Sequence, residues 1–342
     1  MSESRGARFI RERWPLLITL WVAVSSNLAI FAVLWPKAQA VDFAVFWRAV
    51  HALHPYAPNE QPFVYPPTAL LWFSPLKLVD VWQGYLVWTS VSLVLFAAAA
   101  TRLYGRNAAA LAMISPAMSV GLIPGQTSLI GAAVLFAAFG TECRLCRGAL
   151  LGALLTFKPQ LAIVAPLFLI VCRDWRTLAA TVFTALLLAF VGIALFGARM
   201  WSGWIDAIPA FQHIVAHRGL SMSAVSPAAF ATSLGLPRLP LLLLGCAAAL
   251  VISVKSARLG DAERAAMIAT ASLLAAPYAL RYDLIAIAPA MASAVLSSTG
   301  HKPLRPLLAC AAYSATFGPL SLAAATAVVR WRGSEAQPVK ST

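Results

Sequence analysis

The sequence predicts an all-α polytopic membrane protein built as a single domain over 1–342. Three observations carry that expectation. Of the 342 residues 61% are hydrophobic and 11% charged, a balance too apolar for one soluble core and suited to a chain solvated by lipid. Uncharged stretches as long as the roughly 20 residues that a bilayer crossing needs recur along the chain. Basic residues collect in the gaps between them.

Stretches 14–36, 81–101, 178–198 and 306–329 are uncharged and long enough to span. Segment 107–141 is also uncharged but holds Pro124-Gly125 in its middle, which predicts two short helices joined by a tight turn. Stretches 239–254, 265–280 and 284–299 are further apolar helices, bringing the expected total to about ten. Segment 148–172 lies between basic clusters and is interrupted by Lys158-Pro159, so a broken or re-entrant hairpin fits it better than one crossing. The turn of such a hairpin must be buried in protein or line a wet cavity. Gly318-Pro319 raises the same ambiguity in the last stretch.

The formal net charge of +14 follows topology, not nucleic acid. Arg5, Arg8, Arg11 and Arg13 precede the first stretch, and clusters recur at Arg102/Arg106, Arg144/Arg147, Arg173/Arg176, Lys255/Arg258/Arg264, Lys302/Arg305 and Arg330/Arg332. With these in the cytoplasm, both termini (1–13 and 330–342) are cytoplasmic, and two outer loops, 37–80 and 199–238, face the periplasmic side of an inner (plasma) membrane. Ala38-Gln39-Ala40 mimics a signal-cleavage site, but the apolar run before it is too long for a signal peptide, so the first helix is expected to remain uncleaved. The five cysteines give no disulfide framework, and the lone Cys143/Cys146 pair lacks the further ligands of a zinc site.

The first outer loop interleaves aromatic and charged residues. Asp42 follows the first span closely, and Phe43, Phe46, Trp47 and Val50 fall at helical spacing, the pattern of an interfacial helix. A carboxylate at that depth can act as a general base toward a hydroxyl acceptor. It can equally cap a helix that starts at Phe43. Spacing leaves both readings open.

The series Asp42-Phe43, Tyr56 and Tyr65-Pro66-Pro67, then Pro124-Gly125-Gln126, Phe157-Lys158-Pro159-Gln160 and Arg281-Tyr282-Asp283, resembles glycosyltransferase family 87 over residues 41–290. The family consists of polytopic GT-C enzymes. The resemblance implies a GT-C type helical bundle with interfacial outer-loop helices, and transfer of a hexose with inversion from a polyprenyl-phosphate donor to a glycolipid or glycan acceptor on the outer face. Mannose is implied by analogy with relatives. Asp42 then becomes the base. Tyr65, Gln126, Gln160, Tyr282 and His217 are the candidate substrate contacts. At 342 residues the chain is short for this family.

Ionisable groups at membrane depth are costly and point to function, so Lys158 is a candidate for the donor phosphate. Arg281, Arg218 and Arg48 are further phosphate candidates, since fixed cations stabilise a departing phosphate as its charge develops. Asp283 reads more simply as an ion-pair partner of Arg281. Gln126 and Gln160 follow breaks in apolar stretches, where they contact sugar or satisfy unwound backbone. His213 and His217 share a helical face, but no HExxH surrounds them, so neither metal nor cofactor is expected. Two other classes also place polar residues and broken helices in a membrane: a lipid or sugar transporter or flippase, and a non-catalytic subunit of polysaccharide assembly. The sequence shows no repeat symmetry of the transporter kind.

Overall fold

The computed structural model describes residues 5–57, 63–217, 224–298, 304–314 and 318–335, and these are all-helical. The chain opens with α1 (Arg5–Ala38), α2 (Val41–His51), α3 (Ala69–Phe73) and α4 (Val81–Tyr104). It continues with α5 (Arg106–Met113), α6 (Pro116–Leu122), α7 (Ser128–Phe139), α8 (Arg144–Phe157) and α9 (Ala165–Val171). Then come α10 (Trp175–Phe196), α11 (Arg199–His217), α12 (Pro227–Ser233), α13 (Arg238–Ser256) and α14 (Asp261–Ala275). The last three are α15 (Ala288–Leu296), α16 (Leu304–Tyr313) and α17 (Pro319–Glu335). Single 3-10 turns occupy Ser74–Leu78, Pro159–Leu161 and Arg281–Ala286.

Four helical segments among the described residues are long and apolar enough to cross a membrane: Arg13–His51, which runs α1 into α2, together with α4, α10 and α13. α10 shows why such a helix needs lipid. It leaves Phe183, Leu186, Phe190 and Leu195 about two-thirds exposed while burying only Thr177, Thr181 and Gly192. Its ends are set locally. Asp174 accepts from the Thr177 amide at its start, and Gly197 (φ 86°) ends it.

One apolar stretch is broken more finely than the sequence suggests, and two others break where it does. Segment 107–141 turns at Pro124-Gly125 as expected, but a second break at Ser115-Pro116 makes three helices of it, because Pro116 begins α6 and cannot continue α5. Segment 148–172 breaks at Lys158-Pro159, with a 3-10 turn between α8 and α9. The last stretch breaks at Gly318 (φ 53°) between α16 and α17.

α8 lies against α10 through Gly148 and Gly152. A Cβ at either would sit 2.5 or 2.4 Å from the Thr177 or Thr181 carbonyl, so only glycine permits this approach. α7, α8 and α14 share a common arrangement. One end of each meets the basic clusters, where Arg102 bonds the Gly140 carbonyl (3.1 Å), Arg147 pairs with Asp261 (3.7 Å) and Tyr104 bonds the Ala262 carbonyl (2.8 Å). Their other ends converge on the breaks at 123–127, 158–161 and 276–283. At 1.5 Å per residue, α8 carries Lys158 about 20 Å from the basic end, too far for its stem to reach back.

Candidate active site

Asp42 is placed by α2 and by the turn after α6. Ala40 adopts a left-handed conformation (φ 56°) and starts α2, so the helix begins at Val41 and Asp42 lies inside its first turn. Asp42 therefore does not cap a helix starting at Phe43. The start of α2 is instead tied to the turn between α6 and α7: the Ala40 amide bonds the Ile123 carbonyl and the Phe43 amide the Pro124 carbonyl, both at 2.9 Å. A carboxylate in the first helical turn also gains from the dipole's positive end. Phe43, Phe46 and Val50 are buried on one face of α2, as the spacing predicts. Trp47 is partly buried and donates to the Val79 carbonyl at 3.0 Å.

Gly125 makes this junction possible. Its φ of +79° favours glycine, and a Cβ there would lie 2.6 Å from the Phe43 Cβ. The turn thus delivers Gln126 to Asp42, and the Gln126 Nε2 donates to Asp42 Oδ2 at 2.6 Å.

From Gln126 the polar contacts continue inward. The Tyr65 hydroxyl donates to Gln126 Oε1 (3.4 Å) and shares a 2.7 Å hydrogen bond with Thr127 Oγ1. Lys158 Nζ donates to Thr127 Oγ1 (3.1 Å) and Ser128 Oγ (2.7 Å), and forms an ion pair with Asp283 Oδ1 (3.0 Å). Ser128 donates to Asp283 Oδ1 at 2.9 Å, and the other Asp283 oxygen accepts from the Leu280 amide at 3.1 Å. Tyr282 covers the ammonium, its ring centroid 5.1 Å from Nζ. Tyr56 supports the cluster from outside by donating to the Tyr65 carbonyl (2.8 Å).

Lys158 is 0% exposed, and the three N–H groups of its ammonium meet three acceptors among the described residues. One expectation is corrected here. Asp283 pairs with Lys158 and not with Arg281, because the turn at 281–286 points its side chain into the core, where it is 1% exposed. Tyr65 commits its hydroxyl to Gln126 and Thr127 and turns its ring toward a cavity.

That ring lines an apolar cavity of about 160 Å³, bounded also by Pro159, Gln160, Ile163, Trp204, Phe211 and Tyr278. It joins the segment before α3, the α8–α9 break, α11 and the segment after α14. Gln160 lies in this wall and makes no hydrogen bond with the described residues. Arg281 is half-buried, and its Nε is buried without a hydrogen-bond partner. Arg48 is exposed on α2, six residues beyond Asp42. Arg218 and the side chains of His213 and His217 lie outside the described residues.

Thr127 and Ser128, which join the two halves of the cluster, are absent from the sequence-based candidates. Their signal is two consecutive hydroxyls directly after a Pro-Gly-Gln break in an otherwise uncharged stretch, where polar side chains need a purpose.

No curated protein and no solved structure matches this chain. The model of glycosyltransferase family 87 matches residues 63–280, well over half of the sequence. The match takes in Tyr65, Gln126, Lys158 and Gln160, and it begins after Asp42 and ends one residue before Arg281. An all-helical chain with spanning-length apolar helices and this match belongs to glycosyltransferase family 87 and is a membrane glycosyltransferase.

Proposed function

We propose that this glycosyltransferase moves a hexose, mannose by analogy with relatives, from a polyprenyl-phosphate donor to a hydroxyl of a glycolipid or glycan acceptor, on the periplasmic face of the plasma membrane and with inversion. The observation that carries the reading is the state of Asp42. One carboxylate oxygen is fixed by Gln126, and the other has no hydrogen bond from the described residues. That leaves an acceptor for the proton of an incoming hydroxyl.

In this mechanism Asp42 takes the acceptor proton as the hydroxyl oxygen attacks the anomeric carbon. The bond from that carbon to the phosphate oxygen breaks in line, and the lipid phosphate leaves carrying the electron pair. Arg281 is assigned to the phosphate, because its buried Nε lacks a partner whereas Lys158 is saturated. Arg48 and Arg218 stand as secondary phosphate candidates, and His217 as a further substrate candidate. The apolar cavity beside Tyr65 suits the start of the donor's hydrocarbon, and Gln160 in its wall suits the sugar; Tyr282 stands as a further sugar candidate. The basic clusters at the opposite end of α7, α8 and α14 support an inward orientation for that end and an outward one for Asp42.

The test is transfer of label from radiolabelled polyprenyl-phosphate mannose to a glycolipid extract by membranes containing the wild type or Asp42→Asn. The reading expects wild-type transfer and a loss of at least about 10²-fold in the variant, the scale of general-base catalysis. Undiminished transfer by Asp42→Asn removes Asp42 as the base. No transfer by the wild type, when offered glucose- and galactose-bearing polyprenyl phosphates as well, removes the donor assignment.

A further inference from the structure

We propose that Lys158, Thr127 and Tyr65 act as positioning residues that fix the direction of a hydrogen-bond chain ending on Asp42. This rests on Asp42 being the catalytic base and explains how a residue in one outer loop is held by a lysine that never meets substrate.

The chain has four links: Lys158 Nζ to Thr127 Oγ1 at 3.1 Å, Thr127 to Tyr65 at 2.7 Å, Tyr65 to Gln126 Oε1 at 3.4 Å, and Gln126 Nε2 to Asp42 Oδ2 at 2.6 Å. Its two ends have opposite and unambiguous polarity. An ammonium only donates, and a carboxylate only accepts. Lys158 therefore occupies Thr127 as an acceptor, which leaves the Thr127 proton to point at the Tyr65 oxygen. Tyr65 then has its own proton free for Gln126 Oε1. The amide oxygen is held on the Tyr65 side, and the NH₂ group faces Asp42.

Without that order the sense of the last link is set from the Asp42 side alone. An amide whose oxygen lacks a donor is free to turn, and its oxygen facing Asp42 Oδ2 would repel the carboxylate instead of holding it. Hydrogen bonds aligned in one direction also polarise one another, so removing an early link weakens the last. Asp283 and Ser128 complete the arrangement from the far side, keeping the ammonium in place at 3.0 and 2.7 Å. Thr127 is 0% exposed, so water does not replace a missing link there.

Thr127→Val tests the chain with almost no change in shape, and Lys158 keeps two of its three acceptors, so the variant is expected to fold. Two readouts decide the outcome. Hydrogen exchange of the Gln126 side-chain amide, followed by NMR of ¹⁵N-glutamine-labelled protein with Gln126→Leu identifying the signal, is expected to speed up by about 10-fold or more in Thr127→Val as the polarised chain is cut. Thr127→Ser restores the hydroxyl and is expected to restore wild-type protection. In the transfer assay Thr127→Val is expected to lower kcat by about 10-fold with the donor KM unchanged, a fraction of a general base's contribution. It is expected to add nothing in the Gln126→Leu background, since both changes break one chain.

Unchanged amide exchange in Thr127→Val overturns the inference, whatever the activity. So do fully additive kinetic effects of Thr127→Val and Gln126→Leu. Failure of the wild type to transfer label counts against the proposed donor reaction alone, because the amide exchange reads the chain without catalysis.

Discussion

Gln126 donates its side-chain amide to Asp42 at 2.6 Å across 84 positions of sequence. That bond joins α2 to the turn that interrupts segment 107–141. The same turn accepts the backbone amides at the start of α2, so the geometry of one Pro-Gly-Gln triplet sets both where α2 begins and where its carboxylate points.

Gln126→Leu keeps the volume of that side chain and removes its amide. The proposed base is then free to rotate, and turnover is expected to fall by about 10²-fold, the scale of a small misplacement of a catalytic group. Thermal unfolding in detergent should change little, because Asp42 is only partly buried and gains water in exchange. Steady-state kinetics beside a melting curve distinguishes misplacement from unfolding.

Gly125→Ala places a Cβ 2.6 Å from the Phe43 Cβ at a φ of +79°. Both features oppose the substitution, and strain of this kind costs about 1–3 kcal/mol. The melting temperature is expected to drop, and activity to fall further than at Gln126, since α2 itself must shift. A melt identical to wild type would contradict the packing between Phe43 and this turn.

Lys158→Met removes the cation from a pair that is 0% and 1% exposed and leaves Asp283 charged. Breaking a buried pair costs about 3–5 kcal/mol. Adding Asp283→Asn removes the stranded charge, so the double variant is expected to melt above Lys158→Met and below the wild type. If the single variant melts as the wild type does, Lys158 is not held as described.

Arg281→Ala tests the phosphate assignment. A charge-assisted hydrogen bond contributes about 1.5–3 kcal/mol, which raises the donor KM by roughly 10- to 10²-fold. Arg281 makes no ion pair with Asp283, so stability should hold. Binding of polyprenyl phosphate alone, compared between wild type and variant, checks the same contact without turnover.

Much of this protein is written locally. Apolar stretches with no charge determine membrane helices, and Pro124-Gly125, Lys158-Pro159 and Gly318-Pro319 determine breaks, because a missing donor or a left-handed turn acts on the chain at that point. The face of α2 that carries Phe43, Phe46 and Val50 is equally legible, since helical spacing is a property of neighbours. Candidate residues such as Asp42, Gln126 and Lys158 stand out because polar groups are costly in apolar surroundings.

Their partners were decided only by tertiary structure. Asp283 lies two residues from Arg281 yet pairs with Lys158, 125 positions away; Ser128 bonds both of them, and Thr127 links Lys158 to Tyr65. Hydrogen bonding and charge pairing depend on distance in space, and burial removes the water that would otherwise satisfy each group separately. Which donor meets which acceptor is therefore fixed by how the helix ends converge, a fact that no local stretch of the sequence contains.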